Sequence, residues 1–154
     1  MTKKITLIAT KGSLDWAYPP FILSSTAAAL GYDSTVFFTF YGLKLLEKNL
    51  DLQVSPLGNP GMPIPIPVPI MVQTLPGVQS FVTSMMKKKI EDKGVAPLDE
   101  LRSLCLDAEV KFIACQMTVD LFEIDINTFI DEVTYAGAAA FIESAGHSDI
   151  SLYI

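Results

Sequence analysis

Charged residues are scarce in this chain. Only 18% of its 154 residues are charged, and 17 acidic residues against 11 basic ones give a net charge of −6. A nucleic-acid-binding protein needs a basic surface to neutralise phosphates, so the composition excludes that class. Half of the residues are hydrophobic. Because so few charges are available to solvate the surface, we expect the chain to assemble into a homo-oligomer.

Cysteine and histidine are rare as well. Two cysteines and one histidine supply neither a disulfide framework nor a zinc site. The sequence has no CxxC pair, no Walker loop and no GxGxxG fingerprint. We therefore predict neither a thioredoxin-type dithiol nor a bound cofactor or metal.

Long apolar runs and a secretory leader are also missing. No stretch of about 18 uninterrupted apolar residues occurs, so no membrane-spanning helix is expected. The N-terminus lacks the pattern of a secretory signal. Together with the low cysteine content, this leads us to expect a reducing, cytoplasmic location.

Strand-like and helix-like patterns alternate along the chain, which predicts an α/β fold with a mainly parallel sheet. Buried strands are expected at 5–9, 35–40, 110–115, 132–135 and 150–154. Helices are expected up to Leu30 and at 43–50, 78–90, 98–108, 116–122, 128–131 and 136–145. In the first helix, Pro19 and Pro20 should lie in or before the first turn, and Asn127 should cap the short helix at 128–131. We expect residues 1–154 to form a single domain.

Residues 57–77 interrupt this alternation. They contain six prolines between apolar side chains. Proline lacks an N–H and fixes φ, so we predict an extended, partly polyproline-like loop rather than a helix or a central strand. Such an apolar loop suits a subunit interface, a lid over the thiol, or a peripheral membrane contact through residues 62–71, in that order.

Cys115 is the leading candidate for a reactive residue. It stands where an apolar strand gives way to a helix start. The unpaired N–H groups and the dipole of a helix N-terminus favour an anion and hence a thiolate. At the carboxyl end of a parallel strand, this sulfur also lies where α/β proteins bind ligands. The alternative is a small buried residue that does no chemistry.

A second group of residues is assigned to an anion-binding pocket around this thiol: Lys11, Gly12, Ser13, Gln116 and Thr118. Lys11 offers positive charge, Gly12 a tight turn and Ser13 a helix cap, while Gln116 could donate a hydrogen bond. A plain turn after the first strand is the alternative for 11–13.

Other candidates are given structural roles. Cys105 shares the apolar stripe of its helix and should lie in the core. His147 should be a surface or interface residue, because a helix-to-strand loop leads away from the ligand end of the sheet. Trp16 and Tyr18 form an aromatic corner that either roofs a pocket or, as we prefer, packs beneath the proline-rich loop.

Residues 110–118, Val-Lys-Phe-Ile-Ala-Cys-Gln-Met-Thr, resemble the cysteine motif of the DsrE/DsrF-like proteins. Residues 10–15, 37–43, 85–89, 94–96 and 137–139 also resemble family segments, the last three those of a larger subgroup labelled peroxiredoxin-like. The resemblance implies a three-layer α/β/α sandwich with a five-stranded sheet, and homo-oligomers. It also implies that Cys115 carries sulfur as a persulfide or thiosulfonate. TusA-type carriers and rhodanese-like or heterodisulfide-reductase-like proteins would be the partners.

We therefore predict a sulfur carrier, or sulfurtransferase-like protein, that works through Cys115. Two alternatives stay open. One is a thiol-dependent oxidoreductase that reduces peroxide or disulfide. The other is a non-catalytic assembly module whose working surface is the proline-rich loop.

Overall fold

The computed structural model describes residues 1–56 and 69–154. Most of the predicted proline-rich insertion therefore lies outside the described residues, as does most of the membrane contact predicted for 62–71. The described part that falls within 57–77 contains one turn of helix, Ile70–Gln73. This corrects the prediction of a segment without helix. Pro69 immediately precedes that turn, at a position where a missing N–H costs no helical hydrogen bond.

Five parallel strands form a single sheet, as predicted. In chain order they are β1 Lys4–Ala9, β2 Asp33–Phe38, β3 Lys111–Cys115, β4 Val133–Ala136 and β5 Ile150–Tyr153. Their order across the sheet is β4-β3-β2-β1-β5, and every pairing is parallel. The carboxyl ends of β1, β2 and β3 consequently lie side by side, with β2 in the middle.

Helices connect the strands. They are α1 Leu14–Ala29, α2 Ile70–Gln73, α3 Val78–Asp92, α4 Leu98–Asp107, α5 Gln116–Leu121 and α6 Ala138–Gly146, together with 3₁₀ helices at Phe40–Leu46 and Ile126–Thr128. Among the helices of the described residues, none is both long and apolar enough to traverse a bilayer.

The sheet is covered on both faces, as an α/β sandwich requires. Neighbouring residues of a strand point to opposite faces. Phe38 meets Phe21 of α1, with ring centroids 6.1 Å apart, whereas Phe37 meets Phe141 of α6 at 5.3 Å. Phe112 completes an aromatic cluster on the α1 face, 5.3 Å from Phe38. This cluster anchors β2 and β3 to α1 and so fixes the edge where both strands end.

Three local predictions were wrong. Pro19 and Pro20 lie in the second turn of α1 rather than at its entrance. They remove two backbone donors, and burial of the inward face of α1, which includes Phe21, outweighs that loss. Asp125, not Asn127, is the capping residue: its Oδ1 accepts from the Asn127 N–H at 3.0 Å, which starts a 3₁₀ helix at Ile126. The stretch predicted as a helix at 43–50 is a 3₁₀ helix over Phe40–Leu46.

Candidate functional site

The loops that follow β1 and β2 are in close backbone contact. A Cβ atom on Gly12 would lie 2.4 Å from the Tyr41 carbonyl oxygen, and one on Gly42 would lie 2.2 Å from the Ala9 carbonyl oxygen. Only glycine permits such an approach at either position. Gly12 therefore allows the two loops to lie this close together. The sequence alone did not reveal this structural reason for a glycine at position 12.

Cys115 is the last residue of β3 and directly precedes α5. Its side chain is buried, with 3% of the residue exposed. Two threonine hydroxyls lie beside it: Thr118 from the first turn of α5 and Thr39 from the end of β2. Their Oγ1 atoms are 3.2 Å apart, and the Phe40 backbone N–H donates to Thr118 Oγ1 at 3.4 Å. The thiol thus lies at a junction of two neighbouring strand ends.

These neighbours decide how readily the thiol ionises. Burial by itself raises the pKa of Cys115, because the charged form loses solvation. Hydrogen bonds from the Thr118 hydroxyl and backbone N–H lower the pKa and so oppose the effect of burial. Hydrogen bonds from the Thr39 hydroxyl and the Met117 N–H lower it further. Together they outweigh burial and lower the pKa of Cys115 below its usual range. The sequence predicted the contribution of the helix N–H groups but not that of Thr39.

Cys105 differs from Cys115 in how its surroundings change the pKa of the thiol. It is fully buried in α4, where its thiol donates to the Phe21 carbonyl at 3.3 Å and lies 3.4 Å from Ser24 Oγ. Burial raises the pKa of Cys105 despite these contacts. Both cysteines are free, and the prediction of a core role for Cys105 is confirmed.

A large open cavity of 1110 Å³ lies at the same edge of the sheet. Lys11, Gly12 and Ser13 line it, but Cys115 does not. Its other walls come from the loop after β2, from 53–56, and from the region after α5: Trp16, Phe40, Tyr41, Leu43, Lys44, Glu47, Gln53, Val54, Ser55, Pro56, Gln79, Phe122 and Ile124.

The structure therefore divides the predicted pocket into three places. Lys11, Gly12 and Ser13 lie at the cavity. Thr118 lies beside Cys115. Gln116 is exposed on α5, and its amide Nε2 donates to Asp120 Oδ1 at 2.8 Å. Phe40 connects the first two places, because it lines the cavity while its backbone N–H bonds Thr118.

Three exposed aromatic rings meet where the loop after β2 approaches the end of α5. Tyr41 stacks on Phe122, with centroids 6.0 Å apart and ring planes at 16°. Phe40 meets Phe122 edge-on at 5.9 Å. We call Phe40, Tyr41 and Phe122 the aromatic wall. Phe40 has a left-handed φ of 49°, which strains a bulky residue. The aromatic wall thus combines exposed apolar area with a strained backbone residue.

Trp16 lines the cavity and carries the Lys11 ammonium over its ring, with Nζ 3.3 Å from the centroid. Such a cation–π contact holds the lysine side chain at the cavity. Tyr18, the other half of the predicted aromatic corner, points elsewhere and donates to the Ala96 carbonyl at 3.4 Å.

Ser13 stands at the N-cap position of α1, as predicted, but its side chain makes no capping hydrogen bond. Its hydroxyl lies 3.0 Å from Ser55 Oγ. Ser55 in turn donates from its N–H and its hydroxyl to the Asp15 carboxylate, at 2.8 Å and 2.7 Å. Burial raises the pKa of Asp15, but these bonds outweigh it and lower the pKa. This carboxylate network ties the residue 53–56 segment to α1 and was not apparent from the sequence.

His147 is exposed at the C-terminus of α6, where its Nδ1 lies 2.8 Å from the Glu143 carbonyl. Because the residue is exposed, its predicted surface position is confirmed. Across residues 1–56 and 69–154, no group of three or more His, Cys, Asp or Glu side chains is placed to hold a metal ion.

Comparison with known proteins gives consistent matches. The model of the DsrE/DsrF/DrsH-like family matches residues 1–153. The sulfur carrier protein DsrE2 of Allochromatium vinosum is 65% identical over 99% of this chain and 98% of that protein. The uncharacterized protein YrkE of Bacillus subtilis is 27% identical over 99% of this chain and 98% of its own. The crystal structure of the ychN protein from E. coli superposes with a TM-score of 0.56 at 11% identity, covering 99% of this chain and 100% of that one.

Proposed function

The chain belongs to the DsrE/DsrF/DrsH-like family, and on that premise we propose that it is a sulfur carrier whose carrying residue is Cys115. The name of the Allochromatium relative, at 65% identity over almost the full length of both chains, supports the carrier role. The observation that carries the assignment to Cys115 is the set of donors, led by Thr118, that lowers the pKa of this buried thiol. A thiolate is the form that attacks sulfur.

The proposed transfer occurs in two balanced steps. The Cys115 thiolate attacks the outer sulfur of a donor persulfide or thiosulfonate, forming an S–S bond as the donor's own S–S bond breaks and the donor leaves with the electron pair. An acceptor thiolate then attacks the outer sulfur of the Cys115 persulfide and releases the Cys115 thiolate. The Thr118 and Thr39 hydroxyls stabilise the negative charge at the start and the end of this cycle.

We assign supporting roles to the predicted pocket residues. Lys11 supplies positive charge at the cavity, Gly12 keeps its loop against the loop after β2, and Ser13 holds Ser55. Gln116 is exposed in the first turn of α5, next to Cys115 in the chain, where it could meet a partner protein. Because only 3% of Cys115 is exposed, the edge of the sheet must rearrange before a second sulfur atom reaches it.

The same burial favours a second candidate function, an assembly module that does no chemistry at Cys115. In that case the exposed apolar side chains would be the working surface. Ile142 of α6 and Tyr153 of β5, 66% and 76% exposed, are examples. Lack of sulfur uptake at Cys115 would favour this function over the carrier.

We further propose a cytoplasmic homo-oligomer built from one domain per chain, with an insertion at about 57–77. TusA-type and rhodanese-like carriers are the proposed partners, from the resemblance of the cysteine motif. The exposed faces of α6 and β5 support assembly, because apolar surface of this kind is usually covered. Met71, which is 82% exposed, supports a peripheral membrane contact at the end of 62–71.

Loading followed by release tests the carrier function. The protein is incubated with inorganic polysulfide, desalted and weighed by intact mass spectrometry, then incubated with a thiol acceptor and weighed again. We expect wild type and Cys105→Ser to gain sulfur and to lose it to the acceptor, while Cys115→Ser does neither. Loading of Cys115→Ser to the wild-type level contradicts the proposal. Hydrogen peroxide consumption by the same proteins separates the carrier from an oxidoreductase.

A further inference from the structure

The cavity beside the site has the make-up of a binding site for a small organic molecule. Its volume of 1110 Å³ slightly exceeds the usual range of about 300–1,000 Å³ for such sites, which are mainly apolar with a few placed polar groups. Trp16 and the aromatic wall supply flat apolar surface. The side-chain amides of Gln53 and Gln79 supply polar groups, the second already donating to the Val54 carbonyl at 2.9 Å.

The charges at the cavity favour an anion. Lys11 and Lys44 line it, and neither forms a salt bridge within residues 1–56 and 69–154. Residues 57–68 contain no acidic residue, so that segment offers no carboxylate either. Glu47 is the one acidic residue among the lining side chains of the described part. Two lysines without a carboxylate partner at one cavity stand out in a chain whose net charge is −6.

The cavity also shares a wall with the thiol. Phe40 lines the cavity, and its backbone N–H bonds the Thr118 hydroxyl that stabilises the Cys115 thiolate. A molecule in contact with Phe40 would therefore touch a residue that is hydrogen-bonded to Thr118, and Thr118 lies beside the Cys115 sulfur. Because Phe40 contacts both the cavity and Thr118, and has a strained φ of 49°, we infer that a shift of this segment would give a bound molecule access to the sulfur.

We propose that this cavity binds a low-molecular-weight organic thiosulfonate and presents its outer sulfur to Cys115. The anionic group would lie beside Lys11 and Lys44, and the organic group against Trp16 and the aromatic wall. This inference rests on the proposed function and specifies the class of donor. A protein donor has no need of an aromatic, lysine-bearing cavity of this size, so binding of a small donor is the more specific explanation.

The transfer step balances without a further reagent. The Cys115 thiolate attacks the outer sulfur of R–SO₂–S⁻, and a bond forms between Sγ and that sulfur. The bond between the outer sulfur and the sulfonyl sulfur breaks, and the sulfinate R–SO₂⁻ leaves with the electron pair. The product is the Cys115 persulfide anion. Lys11 and Lys44 stay close to the negative charge of both donor and leaving group.

Trp16 gives a direct readout, because it is the only tryptophan of the chain. Benzenesulfonate, which cannot transfer sulfur, is titrated into Cys115→Ser protein while tryptophan fluorescence is recorded. We expect a saturable change and an affinity that falls as salt is added. Lys44→Met should weaken binding about two- to fivefold, the range for an exposed charge pair. Lys88→Met, which removes an exposed lysine of α3 outside the cavity, should leave the affinity unchanged.

Loading of wild-type Cys115 provides the second measurement. Benzenethiosulfonate should load it with a rate that saturates, and benzenesulfonate should slow that loading but not loading by inorganic polysulfide. Absence of a saturable fluorescence change, or equal affinities for Lys44→Met and Lys88→Met, overturns the cavity proposal. If polysulfide still loads Cys115 in that case, the carrier function survives. If benzenesulfonate binds but no donor loads Cys115, the carrier function fails and the donor role with it.

Discussion

Replacing Thr118 by valine removes a hydroxyl from the Cys115 thiolate and should change how its reactivity depends on pH. Valine keeps the shape of threonine, and the backbone N–H groups of α5 remain in place. A hydrogen bond to a charged group contributes about 1.5 kcal/mol, so at pH values below the wild-type pKa the thiolate fraction should fall about tenfold. The more basic thiolate that remains should be about threefold more nucleophilic, because nucleophilicity rises with pKa.

The two effects give crossing pH profiles for alkylation by iodoacetamide. At pH values below the wild-type pKa, Thr118→Val should react about threefold more slowly than wild type. In strongly alkaline solution, where both proteins are thiolates, it should react about threefold faster. Peptide mass spectrometry separates Cys115 from Cys105, so no second substitution is needed.

Matched variants exclude a merely structural effect. Thr118→Ser keeps the hydroxyl and should restore the wild-type profile. Thr35→Val makes the same change at a buried position near the start of β2 and should leave the profile unaltered. Parallel profiles for Thr118→Val and wild type, with no crossing, would refute the role of the hydroxyl.

Three further predictions concern the support of the site. Gly12→Ala places a Cβ 2.4 Å from the Tyr41 carbonyl oxygen and should lower the free energy of unfolding by about 1–3 kcal/mol; an unchanged urea midpoint would contradict this. Arg102 is buried and donates to the carbonyls of residues 45, 47 and 48, so Arg102→Met should cost about 2–3 kcal/mol in urea melts, and a loss below 0.5 kcal/mol would be incompatible with it. The pKa of Asp15 is lowered in the folded state, so its contribution is present above the unfolded-state pKa and is lost as pH falls through the folded-state pKa. Asp15→Asn should therefore reduce the dependence of the free energy of unfolding on pH in acid solution, and its deficit relative to wild type should be largest near neutral pH. Identical dependence on pH for the two proteins would count against the Ser55 hydrogen bonds to Asp15.

The fold was predictable because its signals are local and repeated. The buried strands β1 and β3 are short apolar runs, and α3 and α4 show helical spacing of apolar residues. The α/β class and the position of Cys115 at the end of β3 therefore followed from neighbouring residues. Pro19 and Pro20 misled the prediction of the start of α1, since burial of the inward face of α1 overrides local propensity.

The partners of Cys115 were only half predictable. Thr118 lies in the same motif, whereas Thr39 lies far away in sequence. Only the order of the strands, which places β2 beside β3, brings its hydroxyl to the thiol. The hydrogen bonds from Ser55 to Asp15 also join residues that are far apart in sequence, and no sequence pattern predicts them. Lys11 lies at this edge of the sheet and lines the cavity, but Cys115, which is buried, does not line it.

The central claim is that sulfur is held on Cys115, and peptide mapping after loading tests it most directly. Trypsin cleavage after Arg102 and Lys111 places Cys105 in peptide 103–111 and Cys115 in peptide 112–154. Wild-type protein is loaded with polysulfide, capped with iodoacetamide before unfolding, and digested. The carrier account predicts one additional sulfur atom on peptide 112–154 and none on peptide 103–111. Additional sulfur on peptide 103–111, or on neither peptide, would contradict it.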